Sequence, residues 1–457
     1  MRNPVTVLPV TRIGAIILDD ASRLLCFSGY PEPGSRDLRA LLANKFFYRK
    51  GGAEVVMLQE RAFLIEAGFD VIDFAMQDSR NLPSVYAEYF SPNRLYDQPL
   101  GAITRIGTAF SLIHSPEAVK KFEQLIEKTR PDIVHCHNIY HQLTPSIIRV
   151  AKGRNIPVVL TLHDYKPVCP TYTRLRNGQV CSDCLDNRFS NVVKHRCADG
   201  SLSKSLLLYA EAQVQRLLGS YEQVDRFIAP SEFMRSSVTR HRFPKDRVEV
   251  IYNGVDCSEI SASHHDRGYA LYIGRLTPEK GVETLLAAHA GIAEQVPLVV
   301  AGTGPMEDDL RARYPRAKYL GHLSGSTLEN TIRDASLIVV PSEWYENCPM
   351  SILEAMAHGK AVVAGDIGGI PELVLHEKTG LLFPPGDRAA LKECLTRLMA
   401  DPDLRRSYGT AARSRLEAKF ALEQHNSELL KLYLSVIEQY SGRASADTAE
   451  QLITHRS

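Results

Sequence analysis

A rhythm constrains this chain more than any other feature. Short apolar runs alternate with longer amphipathic stretches, and the series is played twice. In the first half RALLAN (39–44), DVIDFAM (70–76), DIVHCHN (132–138) and PVVLTLHD (157–164) are spaced as strands, with helical periodicity in KGGAEVVMLQERAFLIEAG, PEAVKKFEQLIEKTR and LTPSIIRVAKGRN between them. VEVIYNGVD (248–256) closes this half, and CSEISASHHDRG reads as a linker. ALYIG, LVVAG, KYLGH, LIVVPS, AVVAGD and TGLLFPPGD then repeat the pattern with helices between them, before a helical tail from 387. Strands alternating with helices of this length predict parallel sheets joined by right-handed crossovers. The expected class is α/β, with two Rossmann-like domains facing across a cleft and a C-terminal helix packing back on the N-terminal domain. The boundaries read as a 1–37 extension, an N-terminal domain at 38–256 with a Cys-rich insertion at 165–200, a C-terminal domain at 257–415, and a helix and tail at 416–457. The extension is expected to be disordered, or to stem from a start codon chosen too early.

A chain of 457 residues has material for two cores. Its formal charge of +1 gives no reason to invoke nucleic acid. No run approaches the ~18–20 apolar residues that span a bilayer, and the first residues lack the pattern of a secretory signal. A cytoplasmic protein is expected, with peripheral contact at the inner face of a membrane as the further reading. The basic segment SEFMRSSVTRHRFPKDR (231–247) is the candidate for that contact, against the alternative of a solvated helix and loop.

The densest functional signal is EWYENCPMSILEAMAHG, Glu343 to Gly359. Pro349 is placed to be the first residue of a short helix that Gly359 ends. A helix start beyond the carboxyl end of a strand offers unpaired N–H groups to a phosphate or to sugar hydroxyls. Glu346 and Glu354 add carboxylates, each able to accept from two neighbouring hydroxyls of a ribose or pyranose. Spacing alone would also suit a solvated helix face. Gly51-Gly52 opens another helix after a strand, again suiting phosphate, although paired glycines also serve plain turns. Lys45, Arg49 and Lys50 interleave there with Phe46, Phe47 and Tyr48. His137 and His163 both lie at strand ends, where loops face a crevice. Arg275 and Lys280 flank a strand-to-helix turn, a pattern shared with ordinary surface charges. Tyr86, Tyr89, Phe90 and Tyr96 fit either a packed helix or an acceptor lid.

Nine cysteines scattered over a long chain argue against a disulfide framework. Four of them cluster: Cys169, Cys181, Cys184 and Cys197, with Cys181 and Cys184 forming a CxxC knuckle. Such a set suits tetrahedral zinc, with His195 able to replace one Cys. Four protein ligands would leave no open position, so the metal would be structural. Disulfides and packed thiols are the other readings.

GGAE at 51, HCHN at 135, TLHD at 161, APSEFM at 229, YIGRLTPEKG at 272, VAGTGP at 300, YLGH at 319 and ENCPMSILEAMAHG at 346 follow in order over most of the chain. Jointly they resemble the family 4 retaining glycosyltransferases of GT-B fold, and the CxxCL insertion resembles a subgroup associated with bacterial exopolysaccharide and surface-glycan assembly. The resemblance implies that Arg275 and Lys280 face a donor diphosphate, in place of a catalytic metal. It implies that Glu354 holds the ribose diol, and that Glu346 holds the donor sugar with the backbone at Asn347, Cys348 and Pro349. Gly302 and Gly304 would shape the nucleotide loop, the backbone at His322 and Leu323 would meet the base, Gly51, Gly52 and His163 would face phosphate or acceptor, and His137 would touch the donor sugar near the reacting carbon. The implied substrates are a nucleotide-sugar, UDP- or GDP-linked, and a glycan or polyprenyl-linked acceptor, with no cofactor for transfer. Asn347-Cys348-Pro349 departs from the aromatic or glycine-rich piece of many relatives, which leaves the sugar open. A GT-B epimerase, a phosphorylase, or a degenerate nucleotide-sugar binder are the competing expectations.

Overall fold

The computed structural model describes residues 38–93, 112–263 and 266–454, with side chains as far as 442, and two short antiparallel strands at Ile17–Leu18 and Leu24–Leu25. The rest of the 1–37 extension, and Tyr96, lie outside the described residues.

Strands β1 (Arg39–Ala43), β2 (Asp70–Phe74), β3 (Ile133–Cys136), β4 (Val158–Thr161), β5 (Arg226–Ala229) and β6 (Val248–Val250) form one parallel sheet in the order β6-β5-β4-β3-β1-β2. Strands β7 (Ala270–Ile273), β8 (Leu298–Ala301), β9 (Lys318–Gly321), β10 (Leu337–Val340), β11 (Ala361–Gly365) and β12 (Gly380–Phe383) form a second, in the order β9-β8-β7-β10-β11-β12. Helices cover both faces of each, which is why β3, β4, β10 and β11 are buried throughout and, His135 and Thr161 apart, apolar. Strand β5 escaped the sequence reading because RFIA is too short to show a period. The run from 248 pairs for only three residues before turning toward the domain junction, and the GGIPELVLH stretch yields a short helix at Ile370–Leu373. Phe90 is buried against Phe47, with Tyr86 and Tyr89 partly covered, so these aromatics pack.

Five helices position the site: α1 (Gly52–Glu66), α2 (Glu232–Thr239), α3 (Met350–Ala357), α4 (Pro402–Lys419) and α5 (Leu422–Thr454). Helix α4 belongs to the C-terminal core through Ala412 and Leu416. The chain then crosses back. Leu429, Leu432, Tyr433 and Val436, one stripe of α5, pack on Ala40, Leu42, Ile133, Val159 and Ile228 of the first sheet. The two crossings lie side by side, with Val255 bridged to Ala421, and a Cβ at Gly254 would stand 2.7 Å from Leu422 Cα. Glu372, from the C-terminal domain, accepts from the first amides of α2, Glu232 at 2.8 Å and Phe233 at 2.7 Å, and from the Tyr252 hydroxyl at 2.8 Å. A carboxylate on a helix start is favoured by the dipole as well as by the hydrogen bonds.

The basic segment at 231–247 turns much of its charge inward. Arg235 pairs with Glu232 at 2.6 Å, Arg242 with Glu222 at 2.8 Å, and Arg247 donates to the Glu222 carbonyl at 2.9 Å. This speaks against the membrane-contact reading of those arginines. Among the described residues, no helix is long and apolar enough to cross a membrane.

Candidate active site

In the second sheet the strand order reverses between β7 and β10, and the loops leaving those strands carry the predicted residues. Open α/β sheets bind ligands at such a point. Lys280, after β7, places Nζ 2.7 Å from Glu346 Oε1, after β10, and Ser342 Oγ donates to the same oxygen at 2.7 Å. Glu346 is 7% exposed. Burial pushes its carboxyl upward, but the Lys280 charge and the hydrogen bonds from Lys280, Ser342 and Trp344 outweigh it and hold the group below the ordinary carboxylate range.

Helix α3 begins at Met350, with Pro349 in extended conformation before it. Pro349 is thus the cap position and not the first helical residue, because its ψ of 122° lies outside the helical region. Neither Pro349 nor Gly51, at the start of α1, supplies a side-chain cap. A Cβ on Gly52 would lie 3.4 Å from Met350 Cγ, so the two helix starts meet across the cleft. Their first amides and positive dipole ends converge on one place, which suits a diphosphate. Arg275 adds a largely exposed guanidinium, 3.6 Å from Glu279, whose charge is felt at Lys50 on the opposite wall. From the sequence, Lys50 with Lys45 and Arg49 is a candidate for holding a phosphorylated acceptor or touching a membrane surface, against a solvated loop.

Gly302 and Gly304 do shape a loop. A Cβ on Gly302, whose φ is 144°, would fall 1.9 Å from the Gly274 carbonyl oxygen, and one on Gly304 would fall 2.4 Å from that of Leu276. Only glycine lets the two strand ends lie so close. Gly302 N also donates to Gly321 O at 2.7 Å, which brings His322 and Leu323 beside this loop. Glu354 is half-buried on α3, and burial, reinforced by Glu329, pushes its carboxyl up to about 7.

Asn347 and Cys348 do more than line the loop. The Asn347 side chain accepts from Tyr165 OH at 2.8 Å and donates to the His163 carbonyl at 2.9 Å, bridging the domains, while the Cys348 carbonyl accepts from Asn253 at 3.0 Å. His163 is half-buried and lines a recess with His137, Asn138, Tyr140, Asp164 and Lys166. His137 differs from expectation. Its side chain is wholly buried, with Nδ1 2.9 Å from His163 Nε2 and Nε2 3.4 Å from Glu60 Oε2. His163 is therefore the less buried of the two imidazoles, and His137 lies between it and Glu60. The signal that could have shown this was the buried Glu60, a charge on the inner face of an amphipathic helix.

Cys169, Cys181, Cys184 and Cys197 line one cavity with Arg174, Leu175, Leu185 and Val192, and none is in a disulfide. His195 faces Asp183 and Arg176, at 3.3 and 3.4 Å, and is not one of the residues lining it. Arg174 ties this insertion to the cleft. It donates to Ser182 Oγ at 2.8 Å and Ser237 Oγ at 2.9 Å, and its guanidinium lies 4.5 Å from the Tyr345 ring centre.

Two family profiles match the chain: "Glycosyltransferase Family 4" over residues 50–259 and "Glycosyl transferases group 1" over 257–415. Alpha-maltose-1-phosphate synthase of Mycolicibacterium smegmatis is 28% identical over 372 residues, 73% of this chain and 84% of the relative. Sucrose-phosphate synthase from Thermosynechococcus elongatus superposes with a TM-score of 0.66 at 24% identity, covering 88% of this chain and all of that one. Anabaena HepE, solved with UDP and glucose, gives 0.61 at 18% identity, covering 87% and 100%. Fold and matches together make this chain a GT-B glycosyltransferase of the family 4-like kind.

Two outcomes follow from the site. Lys280→Ala removes the one cation paired with buried Glu346, and sugar transfer is expected to fall by about 10²–10³-fold, the usual loss for one well-aimed donor. Initial rates on a saturating donor check this, and near wild-type turnover would remove Lys280 from the mechanism. A carboxylate accepts from both hydroxyls of a diol and a protonated carboxyl does not, so with Glu354 as the ribose-binding group nucleotide binding is expected to weaken below pH about 7. Calorimetry between pH 8 and 6 should show affinity falling by up to about tenfold per unit below 7. The Glu354→Gln variant should retain only the slope due to the diphosphate's own titration, and identical slopes in the two proteins would refute the assignment.

Proposed function

We propose that this protein moves a sugar from a UDP- or GDP-sugar to a hydroxyl of a glycan or polyprenyl-linked glycan, with retention of anomeric configuration, in bacterial exopolysaccharide or surface-polysaccharide synthesis. The observation that carries the reading is the convergence of the Lys280–Glu346 pair with the starts of α1 and α3 at the topological switch point. The diphosphate sits against those helix starts, with Arg275 and Lys280 offsetting the charge that grows on it as the C1–O bond breaks. The acceptor oxygen approaches C1 from the face the diphosphate leaves, and its proton passes to the departing phosphate oxygen. Glu346, tied to Lys280 and Ser342, holds donor hydroxyls and is not free to act as a nucleophile, so the two-carboxylate scheme of glycosidases is not needed. Glu354 takes the ribose diol, and the loop at 302–304 with His322 and Leu323 encloses the base.

The test is a thermal-shift panel of UDP, GDP, ADP and their common sugars, since a ligand of the native state alone raises apparent stability with its concentration. UDP-sugars head the panel because HepE was solved with UDP. One nucleotide should give a saturable shift, and the anomeric proton coupling of the product should match the donor. Inverted product, or an altered donor sugar formed without acceptor, would overturn the reading.

A further inference from the structure

Behind the cleft lies a buried chain of ionisable groups that the transfer reaction does not explain. Glu60, in the middle of α1, is fully buried. Its Oε1 is 3.1 Å from Nε2 of His425, on α5, whose Nδ1 is 2.7 Å from the Tyr252 carbonyl oxygen. A carbonyl and a carboxylate can only accept, so both ring nitrogens of His425 carry protons and the ring is an imidazolium. Burial pushes His425 down, yet Glu60 and the carbonyl outweigh it and raise the group above its ordinary value.

Glu60 Oε2 faces His137 Nε2 and His135 Nδ1, both at 3.4 Å. His135 has both nitrogens occupied, by Tyr433 OH and Thr161 Oγ1 at 2.7 Å each. These donors come within 4.8 Å of one another, as in a metal site, but a cation there would have to break the Tyr433 or Thr161 bond. His137 Nε2 and Glu60 Oε2 are left as buried polar atoms without a closer partner. A proton on His137 Nε2 faces the Glu60 carboxylate across 3.4 Å, an electrostatic contact, whereas a proton on Nδ1 would set a ring lone pair against that carboxylate in a dry interior. Burial, with the charges of neighbouring histidines, lowers His137 well below its ordinary value, so the ring is neutral and that proton is its only one. Nδ1 of His137 must then accept from His163 Nε2, leaving His163 Nδ1 as a hydrogen-bond acceptor.

We infer that Glu60, held by His425, is a positioning residue that fixes the tautomers of His137 and His163, so that His163 presents a lone pair to a sugar hydroxyl in the cleft. The role of that lone pair rests on the glycosyltransferase reading; the tautomers do not. Long-range nitrogen–proton NMR of the full chain labelled at histidine tests it at pH 7. The expected spectrum has Nε2–H tautomers for His137 and His163 and a doubly protonated His425. In Glu60→Leu the two tautomers should shift toward Nδ1–H, with kcat/KM reduced about tenfold, the worth of one misdirected hydrogen bond. An Nδ1–H His163 in the wild-type protein overturns the inference whether or not transfer is detected, as does a folded Glu60→Leu with unchanged tautomers.

A second inference rests on different residues. The cysteine cavity joins a two-residue-stranded hairpin, Leu175–Arg176 with Gln179–Val180, directly to the Cys181–Cys184 knuckle, in which the Asp183 amide donates to Cys181 Sγ at 3.5 Å. We propose that this cavity holds one structural zinc on the four sulfurs. Zn–S bonds of ~2.3 Å would gather the four sulfurs that line this cavity into one tetrahedral cage and cross-link the insertion. Elemental analysis of the full chain should find one zinc, lost in Cys181→Ser/Cys184→Ser together with a lower melting temperature. Protein that contains no zinc and takes up none on titration with Zn²⁺ overturns the proposal, as does mass-spectrometric proof of disulfides among the four.

Discussion

The Lys280–Glu346 ion pair is the contact on which the rest of the cleft depends. Removing two charges from water costs several kcal/mol per ion, and the attraction recovers this only when geometry is good and the remaining lone pairs are filled. Ser342 fills one, and the Gly369 amide, donating to the Glu346 carbonyl at 2.7 Å, fixes the backbone that carries the carboxylate. Because the pair joins the turn after β7 to the loop after β10, it sets where α3 begins. That start in turn faces the start of α1, so this contact bears on how the two helix starts meet.

The same loop fastens the two domains. Asn347 reaches Tyr165 and the His163 carbonyl, Glu372 caps α2, and α5 lays its apolar stripe on the far sheet. These contacts come from three separate stretches of sequence and meet around one cleft, whose closure excludes water from a reaction that hydrolysis would spoil. The Cys-rich insertion joins them through Arg174, which links the knuckle at Ser182 to the ring of Tyr345, next to Glu346. The insertion thus bears on the loop that carries Glu346.

Much of the candidate site was readable because its signals are local. Gly302 and Gly304, a helix start after a strand, and the Arg275 to Lys280 turn each depend on residues a few positions apart. What escaped was long-range. Glu60 looked like one more polar residue of an amphipathic helix, and nothing near it in sequence showed that His425, 365 positions on, would supply its counter-charge. His137 and His163 looked equivalent at two strand ends, and both follow inner strands; His137 lies deeper because its ring sits between His163 and the buried Glu60 of α1.

By itself the sequence determined the two-fold repetition of strands and helices, since short apolar runs alternating with amphipathic stretches of helical length call for parallel strands joined by crossovers, and it placed the glycines and charges of the loops that follow those strands. Only the tertiary structure decided how deep each histidine lies, which carboxylate pairs with Lys280, and that His425 meets Glu60. Those are questions of distance between segments far apart in the chain, set by how the sheets, crossings and terminal helix pack together.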